Sequence, residues 1–459
     1  MEKHKNGKIL FLLFTGVLMG ALDISIVGPA IPSIEQSINV DHKSLAWIFS
    51  IYVLFNLIGV SLLSRLSDFY GRRAVYIFSV GIFAMGSAIV AFSGNMSFLL
   101  LGRAVQGFGS SGIFPVASAV IGDIFPPEKR GKALGMIGAV FGMAFLIGPL
   151  IAGIMLKFFS WNSLFLINLP IALVVIIFSA RLLPSHRRDN IYFDWPGMLL
   201  LSIMLASFVY GINSINVSEG LSGFLATDVW PFFVLAIISF VLFVSFEKKS
   251  LSPVLKISLF GIRQIRIIGI VAIGAGLIQS VTIFVPEIAV ELFNVSTSNA
   301  AFMLIPFVLA VAIGAPVSGR ILDKVGSRIV VLTGLFASAS GLILLYFLAA
   351  NLSWFYIGGI LIGIGTSMLQ GSSMRYIMLN EVQSADRAMG QGLITLFVSV
   401  GQMTGATFIG IMVSASIIKL QGYSSSFIFI SVIALLVFLL AFFLKSHAAE
   451  LKNAAGTDI

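Results

Sequence analysis

Residues 65–73, RLSDFYGRR, and residues 320–328, RILDKVGSR, carry one charged motif, R-x-x-D-x-x-G-x-R, twice in an otherwise strongly apolar chain. Each copy lies in a short polar segment between two long apolar runs. The glycine of each copy suits a tight turn with an unusual backbone angle. A motif that returns in register indicates that the chain consists of two related halves.

The composition is that of a membrane protein. The 459 residues are 58% hydrophobic and 10% charged, whereas a soluble globular chain is about 25% charged. Cysteine is absent and the four histidines lie outside the long apolar runs, so a disulfide framework is excluded and a metal site is not expected. The first apolar run continues to about Pro32, which is too long for a signal-peptide core, and we interpret it as an uncleaved first span.

Fourteen apolar runs are long enough to cross a bilayer as helices, which takes about 20 residues each. Their predicted limits are 9–32, 45–63, 74–93, 97–122, 133–156, 163–183, 196–215, 229–246, 265–290, 300–318, 329–349, 354–375, 389–416 and 426–444. With a cytoplasmic N-terminus, the cytoplasmic segments hold 24 of the 28 Lys and Arg, the outer segments hold three, and Arg103 alone lies inside a span. This is the positive-inside pattern, so the net charge of +9 reports topology and both termini are expected in the cytoplasm.

Two sets of six spans form the predicted domain organisation. The motif follows the second span of each set, and a second repeat, RGKALG at 130–135 against RAMGQG at 387–392, lies just before the fifth span of each set. Parallel repeats of this kind are related by an axis along the membrane normal. Spans seven and eight remain as an inserted hairpin. The predicted domains are a first six-helix bundle at 1–183, a linker and hairpin at 184–264, a second bundle at 265–445 and a cytoplasmic tail at 446–459, which is expected to be disordered.

The repeated motif resembles the loop signature of the major facilitator superfamily. Further segments resemble motifs of its fourteen-span drug–proton antiporters, namely LDISIVGPAIPSI at 22–34, LGRAVQGFGSS at 101–111, GAVFGMAFLIGPLIAG at 138–153 and PVLKISLFGIRQIR at 253–266. The resemblance extends over essentially the whole chain. It implies an all-α polytopic membrane protein with two parallel six-helix bundles and the major facilitator fold, and a transporter rather than an enzyme.

The two motif copies are candidates for a cytoplasmic gate. Asp68 and Asp323 can hold a neighbouring helix N-terminus or pair with arginines of the motif. Basic residues alone would serve as a topology signal, but that does not explain why aspartate and glycine keep register. Contacts that form in one state of an alternating-access cycle and break in another would explain it. The predicted gate residues are Arg65, Asp68, Gly71, Arg73, Arg320, Asp323, Gly326 and Arg328.

Asp23 and Arg103 are charges inside spans, which are costly and functional by default. Counted from the span ends, both lie about 9 Å from the outer side and could pair. We interpret Asp23 as the residue that takes and releases a coupled proton, with Arg103 setting how readily it ionises. The alternative is a buried ion pair that only fixes packing. Gln106, in the same fourth-span segment, is a further candidate for the substrate or proton site, and Asp123 is interpreted as an interfacial charge.

Span five carries a small-residue face, interrupted by Gly148–Pro149. Small faces permit close helix packing, and proline kinks a helix. Ordinary close packing is the alternative interpretation, whereas the resemblance associates this segment with export by antiport. The predicted antiporter-motif residues are Gly138, Gly142, Gly148, Pro149 and Gly153.

Glu287 and Glu291 lie four residues apart and therefore on one face of span nine, near its outer end. A hydrated interfacial face is one interpretation, and attraction of cationic substrates or proton relay is the other. The family that the chain resembles usually has an uncharged pattern there. The charge of the substrate therefore stays open.

The sequence favours a proton-coupled efflux antiporter for small amphipathic compounds or drugs, because apolar walls rich in Met and Phe suit loose selection. A proton-coupled uptake symporter for a metabolite is the alternative. A membrane sensor or an intramembrane enzyme is disfavoured, since no segment is long enough for a soluble output domain and no catalytic residues cluster at membrane depth. The expected partners are a small-molecule substrate, protons and the lipid bilayer, without nucleic acid, cofactor or metal. A monomer in the plasma membrane is expected.

The charge distribution gives a test of topology. Single cysteines in place of Ser185 and Ser384 should react with impermeant thiol reagents from the cytoplasmic side only, because the natural chain has no cysteine and both positions fall in predicted cytoplasmic segments. Labelling of either position from outside intact cells would refute the count of fourteen spans.

Overall fold

The computed structural model describes residues 2–38, 42–184, 194–250, 253–295 and 297–450. In these ranges fourteen helices are long and apolar enough to cross a membrane, so the predicted fold class and number of spans are confirmed. They are α1 (Glu2–Ile38), α2 (His42–Tyr70), α3 (Arg72–Ala91), α4 (Met96–Ile124), α5 (Pro127–Phe158), α6 (Asn168–Leu182), α7 (Trp195–Ser214), α8 (Trp230–Glu247), α9 (Arg263–Phe293), α10 (Ile305–Val325), α11 (Ser327–Leu348), α12 (Leu352–Glu381), α13 (Arg387–Ser414) and α14 (Lys419–Ala441).

Short elements complete the described chain. The helices Ser163–Leu166 and Thr297–Phe302 precede α6 and α10, and α12 contains a π-helical turn at Leu369–Ser373. Segments of 3₁₀ helix occupy Val217–Leu225, Ile257–Gly261 and Ser384–Asp386.

Several helices continue beyond the apolar runs that predicted them. α2 reaches Tyr70 instead of residue 63, so Arg65 and Asp68 lie in the helix and not in a loop. α12 reaches Glu381, six residues beyond Arg375, at which the predicted span ended. A helix can continue past its apolar run where its polar side chains face protein and not lipid.

Gly71 and Gly326 are single-residue turns between consecutive spanning helices. Gly71 joins α2 to α3 and Gly326 joins α10 to α11, with φ of +92° and +87°. A Cβ atom disfavours this part of backbone space, which explains the glycine in each copy of the motif. The side of the molecule on which these turns lie is called the basic side here, and the other the opposite side.

Contacts within each half follow the sequence order of the repeat. In the first half α2 and α3 both pack on α4 and α1 packs on α5; in the second half α9 packs on α13 and α11 on α12 and α14. The two halves meet mainly where α5 packs on α10 and α2 packs on α13. The domain limits given above stay predictions, and residues 185–193 of the predicted linker lie outside the described residues.

The inserted hairpin, α7 and α8, lies against both halves. Asn213 of α7 accepts a hydrogen bond from Ser50 of α2 at 3.1 Å, and the segment Val217–Leu225 packs on α13. At its other end the Glu247 carboxylate accepts hydrogen bonds from the chain that leads to α9. The hairpin is thereby attached along the line where α2 and α13 meet.

The beginning of the predicted tail is ordered and packed. Glu450 is 4% exposed and accepts hydrogen bonds from the backbone N–H (3.1 Å) and the hydroxyl of Ser327, at the start of α11. Burial raises the pKa of Glu450, and the hydrogen bonds from Ser327 oppose that rise. The expected disorder was therefore wrong for residues up to 450, because the unsatisfied N–H groups at a helix start bind a carboxylate. Residues 451–459 lie outside the described residues.

Candidate proton site and gate

Asp23 lies on α1 and is fully buried among polar side chains from α4 and α6. Arg103 Nη1 donates to its Oδ2 at 2.5 Å. Gln106 Nε2 and Asn168 Nδ2 donate to its Oδ1 at 2.9 and 3.0 Å. None of these four residues is more than 2% exposed. One cation and two amide donors satisfy the ionised carboxylate, which is the condition for keeping a charge at this depth.

Further groups hold these partners in place. The Ser87 hydroxyl accepts hydrogen bonds from both amides, at 2.7 and 3.1 Å. Arg103 Nε donates to the Ile48 carbonyl at 3.2 Å, and its guanidinium lies over the Tyr52 ring, 4.3 Å from the centroid. Arg103 Nη2 has no partner among the described residues, so the guanidinium keeps spare donor capacity.

The predicted pair of Asp23 and Arg103 is therefore in contact, and Gln106 belongs to the same cluster. Sequence reasoning missed Asn168 and Ser87. The signal was present for Asn168, since an amide interrupts the apolar run of span six. Ser87 gave no such signal, because serine is frequent at ordinary packing contacts between membrane helices.

Asp68, in the first copy of the motif, binds the beginning of α13 in the second half. Its Oδ1 and Oδ2 accept from the backbone N–H groups of Ala388 and Met389 at 3.1 and 2.9 Å. Arg72 pairs with the same carboxylate and also donates to Asp123 at 2.9 Å. The first N–H groups of a helix lack partners and carry partial positive charge, so a buried carboxylate is stabilised there.

Asp323, in the second copy, makes the corresponding contact with α5 in the first half. Its two oxygens accept from the N–H groups of Gly131 and Lys132, both at 2.8 Å. In each case the bound N–H groups directly follow the arginine of the second repeat, Arg130 or Arg387. The two sequence repeats thus meet in space, although Asp68 binds the first turn of α13 whereas Asp323 binds the fifth and sixth residues of α5.

Side-chain pairs across the halves surround these caps. Arg65 donates to Asp386 at 2.9 Å, and Lys256, beyond the hairpin, donates to the same carboxylate at 2.6 Å. Arg130 donates to Asn380 at 2.9 Å. The two halves are therefore joined by several buried polar contacts on the basic side.

Asp123 belongs to this network. Besides Arg72 it binds Arg387 of the second half, at 3.0 Å. It is exposed and lies one residue before the end of α4, so its interpretation as an interfacial charge stays a prediction. Its position at the end of an apolar run did not reveal the two arginines that the fold brings to it.

The remaining arginines of the motif do not cross between the halves. Arg73 donates to the Ala180 carbonyl of α6 at 3.1 Å. Arg328 lies over the Phe442 ring at 5.9 Å, and Arg320 is exposed. Of the charged gate residues predicted, only Arg65 and the two aspartates contact the other half directly.

The glycines of α5 differ in which helix lies next to them. A Cβ on Gly138 or Gly142 would lie 2.6 Å from the backbone of α12 or α10, so both allow close approach of the halves. A Cβ on Gly148 would meet α1 of the same half, and one on Gly153 would meet nothing within 4 Å. The predicted small-residue face is therefore not packed at Gly153. Gly138 and Gly142 allow α5 to lie close to the second half, whereas Gly148 packs within the first half.

Glu287 and Glu291 are exposed near the opposite end of α9 and contact α14. Glu291 pairs with Lys419 at 3.3 Å, and Glu287 accepts a hydrogen bond from the Tyr423 hydroxyl. Neither glutamate contacts the Asp23 cluster.

Comparison with known proteins places this geometry in context. The family model described as Major Facilitator Superfamily matches residues 13–289 and 267–458. Multidrug transporter protein MdtP of Bacillus subtilis is 30% identical over 431 residues, covering 90% of this chain and 78% of the relative. Multidrug resistance protein 3 of the same organism is 28% identical over 419 residues, covering 89% and 80%.

A solved structure gives the same fold. The human organic anion transporter MFSD10 (TETRAN) superposes with a TM-score of 0.72 at 16% identity, over 94% of this chain and 98% of that one. At this identity the likeness concerns the fold alone.

The buried pair predicts a strong asymmetry between single and double variants. Arg103→Ala leaves an ionised carboxylate buried without its cation and should destabilise the protein by about 3–5 kcal/mol. Asp23→Asn in the same background should recover part of that loss, because a neutral amide needs no counter-charge. Thermal unfolding in detergent measures both, with Arg266→Ala as a control at an exposed arginine of α9. Unfolding of Arg103→Ala at the wild-type temperature would contradict a structural role for the pair.

Proposed function

This chain belongs to the Major Facilitator Superfamily and is a multi-pass membrane transporter rather than an enzyme, and from that premise we propose that it is a proton-coupled efflux antiporter for small amphipathic compounds. The family resemblance carried by the motifs is thereby confirmed, whereas export and proton coupling are proposals. The observation that carries them is the Asp23 carboxylate. Among the described residues it is the acidic side chain that is fully buried in a span away from the helix ends.

Asp23 is suited to exchange a proton with the space between the halves. Protonation removes its charge and with it the attraction that holds Arg103. Arg103 keeps its bond to the Ile48 carbonyl and has a free Nη2, so the cation retains partners while the acid is neutral. Proton entry along the membrane potential supplies about 2.3 kcal/mol per charge per 100 mV. Release of the proton on the other side of the membrane restores the ion pair of Asp23 and Arg103.

The reciprocal aspartate caps are suited to alternating access. In the state described, the caps by Asp68 and Asp323 close the basic side, which the charge distribution predicts to be cytoplasmic. Opening that side must break both caps, since each joins a helix of one half to a helix of the other. The motif occurs twice because each half supplies one aspartate and receives the other.

Two observations support export of several compounds. The relatives named above are a multidrug transporter and a multidrug resistance protein, at 30% and 28% identity. The α5 segment 138–153 resembles the motif that accompanies antiport in this superfamily. We expect the bound compounds to enter from the basic side and leave on the opposite side.

Proton coupling at Asp23 is tested by proton release. A growth screen of expressing cells against a panel of toxic compounds identifies a substrate, and its addition to purified protein in weakly buffered detergent should release protons. Asp23→Asn should abolish this release and leave substrate binding intact. Glu287→Gln and Glu291→Gln serve as matched acidic controls and should release protons as the wild type does. Equal release by Asp23→Asn and wild type would place the coupling acid elsewhere.

A further inference from the structure

Arg375 is a buried cation in the long helix α12. It lies six residues before the end of the helix at Glu381, a rise of about 9 Å. It is 6% exposed and lies two residues after the π-helical turn Leu369–Ser373. Such turns are frequent at functional sites, and a buried charge is costly unless it is paired.

Arg375 has only neutral partners. Nη1 donates to the Gln391 carbonyl and side-chain oxygens at 3.5 and 3.3 Å, and Nη2 to the Thr395 hydroxyl at 3.2 Å. Its guanidinium lies over the Phe114 ring, 3.8 Å from the centroid. Nε has no partner in the described part of the chain, where no carboxylate pairs with Arg375 either.

Arg375 differs in this respect from the other buried charges described above. Asp23 and Arg103 form a neutral pair. The acids of the gate lie at helix ends and have their own cationic or N–H partners. Arg375 remains as an uncompensated positive charge between the two halves of the described structure.

Opening of the basic side would uncover this cation. Gln391 and Thr395 lie on α13 in the same half as Arg375, whereas Phe114 lies on α4 in the other half. The gate contact of Asn380 lies on α12 as well, five residues nearer the basic side. When the halves separate there, Arg375 keeps its neutral partners, loses its aromatic cover and faces the space entered through the gate.

From this placement we propose that Arg375 binds the carboxylate or sulfonate of amphipathic organic anions. Of its five N–H groups, three make the long bonds described, which leaves Nε–H and one Nη2–H for an acidic group. Phe114 and Phe141, edge to face at 5.1 Å, offer an apolar surface for the body of the compound. An anion site at Arg375 rests on the proposed function and names its substrate class.

A matched pair of dyes tests the sign of the charge. Fluorescein is an anion, and rhodamine methyl ester is a cation with the same fused ring system. Anisotropy titrations with the full-length protein in uncharged detergent should give at least about tenfold tighter binding of fluorescein, because hydrogen bonds to a charged partner contribute about 1.5–3 kcal/mol and 1.4 kcal/mol is tenfold.

Variants then assign that preference to one residue. Arg375→Gln should weaken fluorescein binding at least about tenfold and leave the affinity for rhodamine methyl ester equal or higher. Arg375→Lys should be intermediate, because it keeps the charge and loses the planar donor edge. Arg266→Gln removes an exposed arginine of α9 and should bind both dyes as the wild type does.

The outcomes separate an anion site from the proton-coupling role. Binding of rhodamine methyl ester by the wild type that equals or exceeds the binding of fluorescein overturns the anion site. Absence of fluorescein binding by the wild type overturns it as well. Both measurements use the wild type, so neither depends on the folding of a variant. Unchanged fluorescein binding by Arg375→Gln overturns it too. Failure of proton release in the wild type would refute the coupling role while leaving the dye result intact.

Discussion

The contacts of Asp68 and Asp323 with backbone N–H groups of the other half join the two halves on the basic side. Asp68 and Asp323 each accept two backbone N–H groups, at 2.8–3.1 Å, from a helix of the other half. Asp68 is buried, so without water its carboxylate and the N–H groups of Ala388 and Met389 would be left unsatisfied, at a cost of several kcal/mol for each group, whereas Asp323 is partly exposed. The contacts of Asp68 and Asp323 therefore form together, or they break together and the separated groups bind new partners. This favours two discrete arrangements over a continuous range.

One helix carries residues of all three sites. Arg103 and Gln106 of α4 bind Asp23, Phe114 covers Arg375, and Asp123 joins the gate through Arg72 and Arg387. Arg103 and Asp123 are 20 residues apart, which is about 30 Å along a helix. A change in the position of α4 relative to the second half thus affects the cover of Arg375 and the gate at once. A change in the charge of Asp23 acts on α4 as well, because Asp23 binds Arg103 and Gln106 of that helix.

Hydropathy and the sequence repeat predicted the architecture, because long apolar runs indicate membrane-spanning helices and a motif that returns in register indicates two related halves. They predicted fourteen spans, two related halves and the Asp23–Arg103 pair, since a charge in hydrocarbon needs a partner. They did not predict where helices end, because the last turns of α2 and α12 are polar yet covered by protein.

The sequence also did not predict which residues of one half contact which residues of the other. The aspartate motif indicated a helix N-terminus but not which one, and the backbone N–H groups that Asp68 binds belong to residues 388 and 389. Every residue except proline has a backbone N–H group, so the identity of the side chains does not show which N–H is bound. Likewise Gly153 has the spacing of a packed face, yet nothing lies within 4 Å of a Cβ built on it, and spacing along one helix does not show which positions have a neighbour.

The gate is tested most directly by a distance across the basic side. Spin labels in place of Lys129 and Lys324, exposed residues of opposite halves, report that distance by pulsed electron paramagnetic resonance. The account predicts one short distance in the wild type and a shift of population to longer distances in the combined Asp68→Asn and Asp323→Asn variant. Asp194→Asn, which removes an aspartate cap within the hairpin, should leave the distance unchanged. An unchanged distance distribution in the double variant would contradict the account.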